Sequence, residues 1–89
     1  MEIARPDEGW GGLESVVARA RRASAELRRE GTEIRFVRTI FVPEDDACFC
    51  LFAAASADDA LEAAHLAGIR CESIAEGVAI DDRSRGDGQ

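Results

Sequence analysis

The pattern of hydrophobic and polar positions is clearest in the middle of the chain, over residues 34–53. Two runs rich in β-branched and aromatic residues, at 34–42 and 48–52, flank the acidic sequence Pro-Glu-Asp-Asp. This composition is typical of strands, and Pro43, which has no backbone N–H to donate, fits the end of a strand. The pattern therefore predicts a β-hairpin whose loop is residues 43–46.

This loop length determines which residues face each other across the hairpin. It predicts the pairs Val42 with Ala47, Thr39 with Cys50 and Arg38 with Leu51. Because side chains alternate along a strand, the hairpin then has two faces, both mostly apolar. One face carries Ile34, Phe36, Arg38, Ile40, Val42, Phe49 and Leu51, and the other carries Arg35, Val37, Thr39, Phe41, Cys48, Cys50 and Phe52.

Two further segments have the three- and four-residue spacing of amphipathic helices. The first is residues 13–30, followed by Gly31 as a C-terminal cap. The second is Ala57–Ala67, with Ser56 as its N-cap and Gly68 at its end. The predicted buried stripe of the second helix is Ala57, Ala60, Leu61 and Ala64.

Short strands at Glu2–Arg5 and Glu72–Ile80 complete the order strand, helix, strand, strand, helix, strand. This is the split βαβ pattern of a ferredoxin-like α+β sandwich. In that fold the first strand lies between the last strand and the second strand of the hairpin. Here the first strand is short or atypical, so either it is stunted or the central position is filled in some other way. We expect one domain over residues 1–80, with a weakly ordered segment at 1–12 and a flexible polar tail at 81–89.

Two helices cover only one face of such a sheet. A sheet that is half open to water is polar on its solvent face, and here both faces are apolar. The sequence therefore predicts a homodimer in which a second copy covers the other face. Small residues at Thr39, Cys48 and Cys50 allow Ala-rich helices to approach closely, so the Arg38 face is predicted to meet the partner sheet.

Composition narrows the class of partner. A net charge of −7 argues against a general nucleic-acid-binding protein, whose affinity depends on neutralising phosphates. The chain has no run of about 18 apolar residues, so no membrane partner is expected. No signal-peptide pattern is present, and three cysteines do not form an even disulfide set, so a cytoplasmic location is predicted.

Arg38 is the residue that most suggests a site. A guanidinium among apolar neighbours needs a carboxylate partner or an anionic ligand. Glu76 in the last strand is its predicted internal partner, which would make a structural ion pair. The alternative is an anion-binding group in a pocket between two sheets. The predicted ligand-binding residues are Arg38, Phe36, Ile40, Phe49 and Glu76.

Metal binding and catalysis are weaker hypotheses. Cys48 and Cys50, two residues apart on one strand face, and His65, the single histidine, are the candidate metal ligands. The alternatives are core packing for the two thiols and a surface position for His65. No acid–base pair is specific enough to name a reaction, so the sequence favours a protein that is not an enzyme.

The run VRTIFVPEDDACFCLFAAASADDALEAAHLAGI, followed by SIAEGVAI, resembles a bacterial family of small domains of unknown function, over about residues 13–80. That family includes a ferredoxin-like, homodimeric nickel-binding protein. The resemblance implies a dimeric α/β-barrel made of two facing sheets. It implies little about function: no cofactor is established, nickel is suggested by family analogy alone, and no residue is assigned as a ligand.

The sequence thus predicts a small cytoplasmic homodimeric binding protein of unidentified ligand, with a pocket between the facing sheets. The first alternative is a protein that binds nickel or another transition metal. The second is a cofactor-independent enzyme, since dimeric α/β-barrels also host such chemistry and fold does not determine function.

Overall fold

The computed structural model describes residues 1–7 and 9–77. The chain is a mixed α+β structure with a short 3-10 helix before the first α-helix and another in the hairpin loop. The elements are β1 (Glu2–Ile3), α1 (Leu13–Arg29), β2 (Ile34–Val42), β3 (Ala47–Ala54), α2 (Ala57–Ala67) and β4 (Cys71–Ser73). The last strand is shorter than predicted: it ends at Ser73, and residues 78–80 lie outside the described residues.

The four strands form one open antiparallel sheet in the order β2-β3-β1-β4. Although β1 has only two residues, it lies between β3 and β4, with Glu2 opposite Phe49 and Ile3 opposite Cys48. Two backbone hydrogen bonds extend this pairing beyond β1. The Cys50 N–H donates to the Met1 carbonyl at 2.7 Å, and the Ala4 N–H donates to the Arg70 carbonyl at 2.7 Å. The short first strand therefore occupies the inner position expected of it.

The hairpin has the predicted loop and the three predicted pairs. The loop closes at Asp46, which has φ 50° and donates its N–H to the Pro43 carbonyl at 3.1 Å. Towards the start of β2 the pairing shifts by one residue. Arg38 and Phe36 are two residues apart in β2, but their partners Leu51 and Phe52 are adjacent in β3. Val37 is the extra residue, so β2 contains a β-bulge.

This bulge changes which residues share a face. Ile34 and Phe36 are 3% and 9% exposed and belong to the core beneath the helices. The prediction that placed them on the Arg38 face is wrong, because alternation does not continue through an extra residue. The prediction that the helices pack on the Cys48 and Cys50 face is confirmed, since both thiols are buried.

The core lies entirely on that side of the sheet. One cluster consists of Ile3, Val16, Ala20, Phe36, Cys48 and Cys50, and a second consists of Ala23, Leu27, Ile34, Ala63 and Ala67. On the opposite face no helix among residues 1–7 and 9–77 covers the sheet, and Ile40 and Leu51 remain 44% and 38% exposed. Within the described residues, the sheet therefore has one face that the helices cover and one open face.

The end of α1 and the start of α2 are capped by the residues that the sequence predicts. At the end of α1, Gly31 has φ 101°, its N–H donates to the Arg28 carbonyl at 3.0 Å, and the Thr32 N–H donates to the Leu27 carbonyl at 2.9 Å. This is a Schellman motif, in which a residue with positive φ satisfies the last carbonyls of a helix. At the start of α2, the Ser56 hydroxyl accepts the Asp59 N–H at 3.4 Å.

The buried stripe of α2 agrees with the prediction at Ala60 and Ala64 and differs from it at Ala57, which is half-buried, and at Leu61. Ala60, Ala63, Ala64 and Ala67 are buried, whereas Leu61 is 37% exposed. Ala63 and Ala67 pack against Ala23 and Leu27 of α1, and contact through small side chains lets the two helices approach closely. This orientation turns Leu61 towards solvent.

Candidate functional site

Four residues form the open face of the hairpin: Arg38, Ile40, Phe49 and Leu51. Arg38 lies opposite Leu51, and Ile40 lies opposite Phe49, so the four make one continuous patch on β2 and β3. Arg38 is exposed and Phe49 is half-buried. Glu2, which pairs with Phe49 from β1, adds a carboxylate on the same side of the sheet. The open face is therefore an apolar patch with Arg38 as its cation and Glu2 as a nearby anion, and Arg35, opposite Ala53 on the same side of the sheet, is a second cation beside it.

Arg38 does not form the predicted ion pair with Glu76. The salt bridges among the described residues join Arg5 to Asp46 and Arg70 to Asp7. Glu76 instead accepts the Ala57 N–H at 3.3 Å, at the start of α2. The reason is that β4 ends at Ser73, and the residues after it bring Glu76 to the start of α2.

A groove of about 740 Å³ lies beside the open face. Its walls come from β2, from residues 50–57 of β3 and the start of α2, and from residues 74–77. Arg35 and Glu76 contribute the charged side chains, and Val37, Leu51 and Phe52 contribute apolar surface. The groove can therefore accept a molecule that has both an apolar part and a charged group.

Of the predicted ligand-binding residues, only Glu76 lines this groove. Arg38, Ile40 and Phe49 remain together on the open face, and Phe36 lies in the core. Sequence reasoning missed Arg35 as the guanidinium of the groove. The sequence carries no signal for it, because the strand pattern gives no sign of the bulge that turns the chain between Phe36 and Arg38.

The thiols of Cys48 and Cys50 are buried core groups. The two residues are 0% and 1% exposed, and the Cys50 Sγ lies 3.7 Å from the Thr39 hydroxyl. Burial, together with the neighbouring Cys50, raises the pKa of the Cys48 thiol to about 11, and burial also raises the pKa of Cys50. Both thiols are protonated at neutral pH, whereas a metal binds the thiolate.

The remaining candidate ligand does not complete a metal centre. His65 is exposed on α2, on an element separate from the two buried thiols. Within the described part of the chain, no group of three or more His, Cys, Asp or Glu side chains could hold a metal ion. Because nickel needs several nitrogen, oxygen or sulfur ligands, these residues of one chain do not fit a nickel centre.

The acidic loop of the hairpin is held by the N-terminal segment. The Trp10 indole N–H donates to Asp46, and the Trp10 and Phe41 ring centroids are 5.3 Å apart. Arg5 also lies 3.5 Å from the Asp46 carboxylate. These contacts were not predicted, and the available signal was a single tryptophan in a glycine-rich stretch. The Asp46 carboxylate therefore accepts a hydrogen bond from Trp10 and forms a salt bridge with Arg5, and both contacts join the N-terminal segment to the hairpin loop.

Two helices on one face of an open antiparallel sheet, with an exposed apolar patch on the other face, define a small α+β protein. Residues 7–76 match the family described as nickel responsive protein SCO4226-like, and the chain belongs to that family. The resemblance carried by the hairpin and α2 is thereby confirmed. No curated protein and no solved structure gives a significant match. Neither described helix is long and apolar enough to cross a membrane.

Proposed function

We propose that this chain is a ferredoxin-like, homodimeric binding protein in which the open face is the interface between two copies. The strand order supports the ferredoxin-like assignment, because β1 lies between β4 and β3 as that topology requires. The single observation that carries the proposal is the exposure of Ile40 and Leu51, at 44% and 38%, on a sheet face that no described helix covers.

The chemistry of the open face supports association with a second copy. Contiguous exposed apolar surface marks an interaction site in soluble proteins, and isolated exposed residues do not. A two-fold interface uses the same surface on both partners. Arg38 and Glu2 lie on this surface with opposite charges, so Arg38 of one copy can pair with Glu2 of the other. That pairing would avoid the cost of burying an unpaired guanidinium.

The groove gives the dimer a place for a ligand. Leu51 belongs both to the open face and to the groove lining, so a second copy on the open face would border the groove as well. Arg35 and Glu76 would then meet the charged part of a small molecule, and Val37 and Phe52 its apolar part. The ligand class proposed is a small amphipathic molecule with at least one charged group.

Nickel binding is the second candidate, and family membership favours it. In one chain Cys48 and Cys50 are buried and His65 is the single histidine. Nickel binding would therefore need ligands from more than one chain, or ligands from residues outside the described ranges.

Native mass spectrometry of the protein, purified without a histidine tag, separates these candidates. The proposal expects a species of twice the 9.6 kDa mass of the chain that carries an organic adduct. The adduct should be lost in Arg35→Met. It should be kept in the control variant Arg29→Met, because Arg29 is an exposed residue outside the groove. A stoichiometric metal adduct on the dimer would favour the second candidate. A monomer at micromolar concentration would contradict the interface.

A further inference from the structure

A second cavity, of about 430 Å³, lies on the covered side of the sheet. Its walls come from residues 3–7, from the first two turns of α1 and from residues 68–70 between α2 and β4. Two arginines from different elements line it, Arg19 of α1 and Arg70 before β4. No residue of the open face lines this cavity, so it is a separate site.

Arg19 is held in place by backbone carbonyls. Its Nη1 donates to the Ala67 carbonyl at 3.0 Å, and its Nε donates to the Ser15 carbonyl at 3.4 Å. Gly68, which ends α2 with φ 72°, lies next to the guanidinium, since a Cβ built there would be 3.4 Å from Arg19 Nη1, an ordinary van der Waals contact. A guanidinium has five N–H donors, so Arg19 keeps donors that these two bonds do not use.

Arg70 is positioned by its backbone, and its side chain is only weakly engaged. The Arg70 carbonyl accepts the Ala4 N–H at 2.7 Å, which ties it to the N-terminal segment. Its Nη2 lies 3.9 Å from the Asp7 carboxylate, and both side chains are largely exposed. An ion pair that long and exposed adds little stability. Arg5 also lines the cavity, but its guanidinium contacts Asp46.

We infer that the cavity between Arg19 and Arg70 binds a small oxyanion, the phosphate or carboxylate group of a small molecule, and that Asp7 competes with it for Arg70. Planar guanidinium groups match the geometry of such oxyanions and form strong charge-assisted hydrogen bonds with them. The Asp7 contact is the intramolecular version of the same interaction, at a distance too long for a hydrogen bond.

The test is an NMR titration of ¹⁵N-labelled protein with inorganic phosphate and, separately, with citrate, at fixed pH and ionic strength. Saturable shifts are expected at the amides of Gly68, Ile69 and Arg70. Arg70→Met should weaken binding about tenfold. Asp7→Asn, which removes the competing carboxylate, should strengthen it about threefold. Arg29→Met, which removes an exposed arginine outside the cavity, should change the affinity less than about twofold.

Response to phosphate alone or to citrate alone would identify the oxyanion within the proposed class. Shifts that never saturate would overturn the inference, and so would an equal loss in Arg29→Met and Arg70→Met, which would indicate general charge attraction. Ile40→Glu, which disrupts the proposed dimer interface, should leave phosphate binding unchanged. Failure of the anion site and failure of the dimer are therefore distinguishable.

Discussion

Phe36 and Arg38 lie on opposite faces of the sheet although only one residue separates them in β2. Phe36 packs edge-to-face on Phe52 in the core, with ring centroids 5.5 Å apart, while Arg38 is exposed opposite Leu51. Val37, the extra residue of the bulge, produces this arrangement. In a regular strand that contained Val37 without a bulge, alternation would place Phe36 and Arg38 on the same face.

Deleting Val37 should therefore preserve the fold. Phe36 would still pair with Phe52, and Arg38 would still pair with Leu51, in a regular ladder. We expect a loss below about 2 kcal/mol in the free energy of unfolding, because no core residue changes face. Urea denaturation followed by circular dichroism measures this.

Deleting Ile40 is the matched control. With the loop pairs kept, Thr39 would then lie opposite Phe49 and Arg38 opposite Cys50, on the covered face. An unpaired guanidinium in the core costs about 3–5 kcal/mol, so this variant should not fold stably. Equal stability of the two deletion variants would show that the bulge does not set the faces.

Stability should fall steeply in alkali because of Cys48. Its pKa of about 11 in the folded protein lies above the ordinary value of 9.0, so the unfolded chain loses this proton first. The stabilisation is complete below about pH 9 and is lost as the pH rises towards 11, by about 1.4 kcal/mol per pH unit for one group. The chain has no Lys or Tyr, so few other groups titrate in this range.

Urea denaturation at pH 7.5, 9, 10 and 11 measures that loss. Cys48→Ala should reduce the dependence and leave the part that the buried Cys50 thiol contributes, whereas Cys71→Ala, at a half-buried position, should leave it unchanged. If wild-type stability were constant from pH 9 to 11, the Cys48 thiol would not be a buried protonated group.

The contact between Trp10 and Asp46 should determine how the N-terminal segment packs. Asp46→Ala removes the acceptor of the indole N–H and the partner of Arg5, at a position with φ 50°. We expect a loss of about 1 kcal/mol and a red shift of the emission from Trp10, the only tryptophan. Asp46→Asn keeps an acceptor and tolerates positive φ, so its emission should stay close to that of the wild type.

Asp45→Ala serves as the control, because Asp45 is an exposed acid in the same loop. If Asp45→Ala and Asp46→Ala shift the emission equally, loop charge controls Trp10 and the hydrogen bond does not.

The sequence was sufficient to predict the hairpin, its loop and both helices, because turn, cap and glycine chemistry act locally. Ser56, Gly31 and Gly68 each end or begin a helix as expected. The bulge was not predictable, because Val37 is as suitable for a regular strand position as for the extra position. The orientation of α2 was not predictable either. An alanine-rich helix has small residues on several sides, and the position of Leu61 alone does not determine which side is buried.

The site was less predictable than the fold. The position of Arg38 on the face away from the helices follows from the hairpin register alone. Its expected partner Glu76 does not follow, because β4 ends at Ser73 and the next residues turn towards the start of α2. The groove arises from that turn, and no local pattern in residues 74–77 indicates it.

Sedimentation velocity at micromolar concentration, comparing the wild type with Ile40→Glu and Leu66→Glu, tests the proposed dimer most directly. Ile40 and Leu66 are 44% and 49% exposed, the first on the open face and the second on α2. Ile40→Glu should be a monomer, because it places a carboxylate in the apolar interface. The wild type and Leu66→Glu should sediment as dimers with a mass of twice 9.6 kDa. A monomeric wild type, or an Ile40→Glu variant that remains dimeric, would contradict the account.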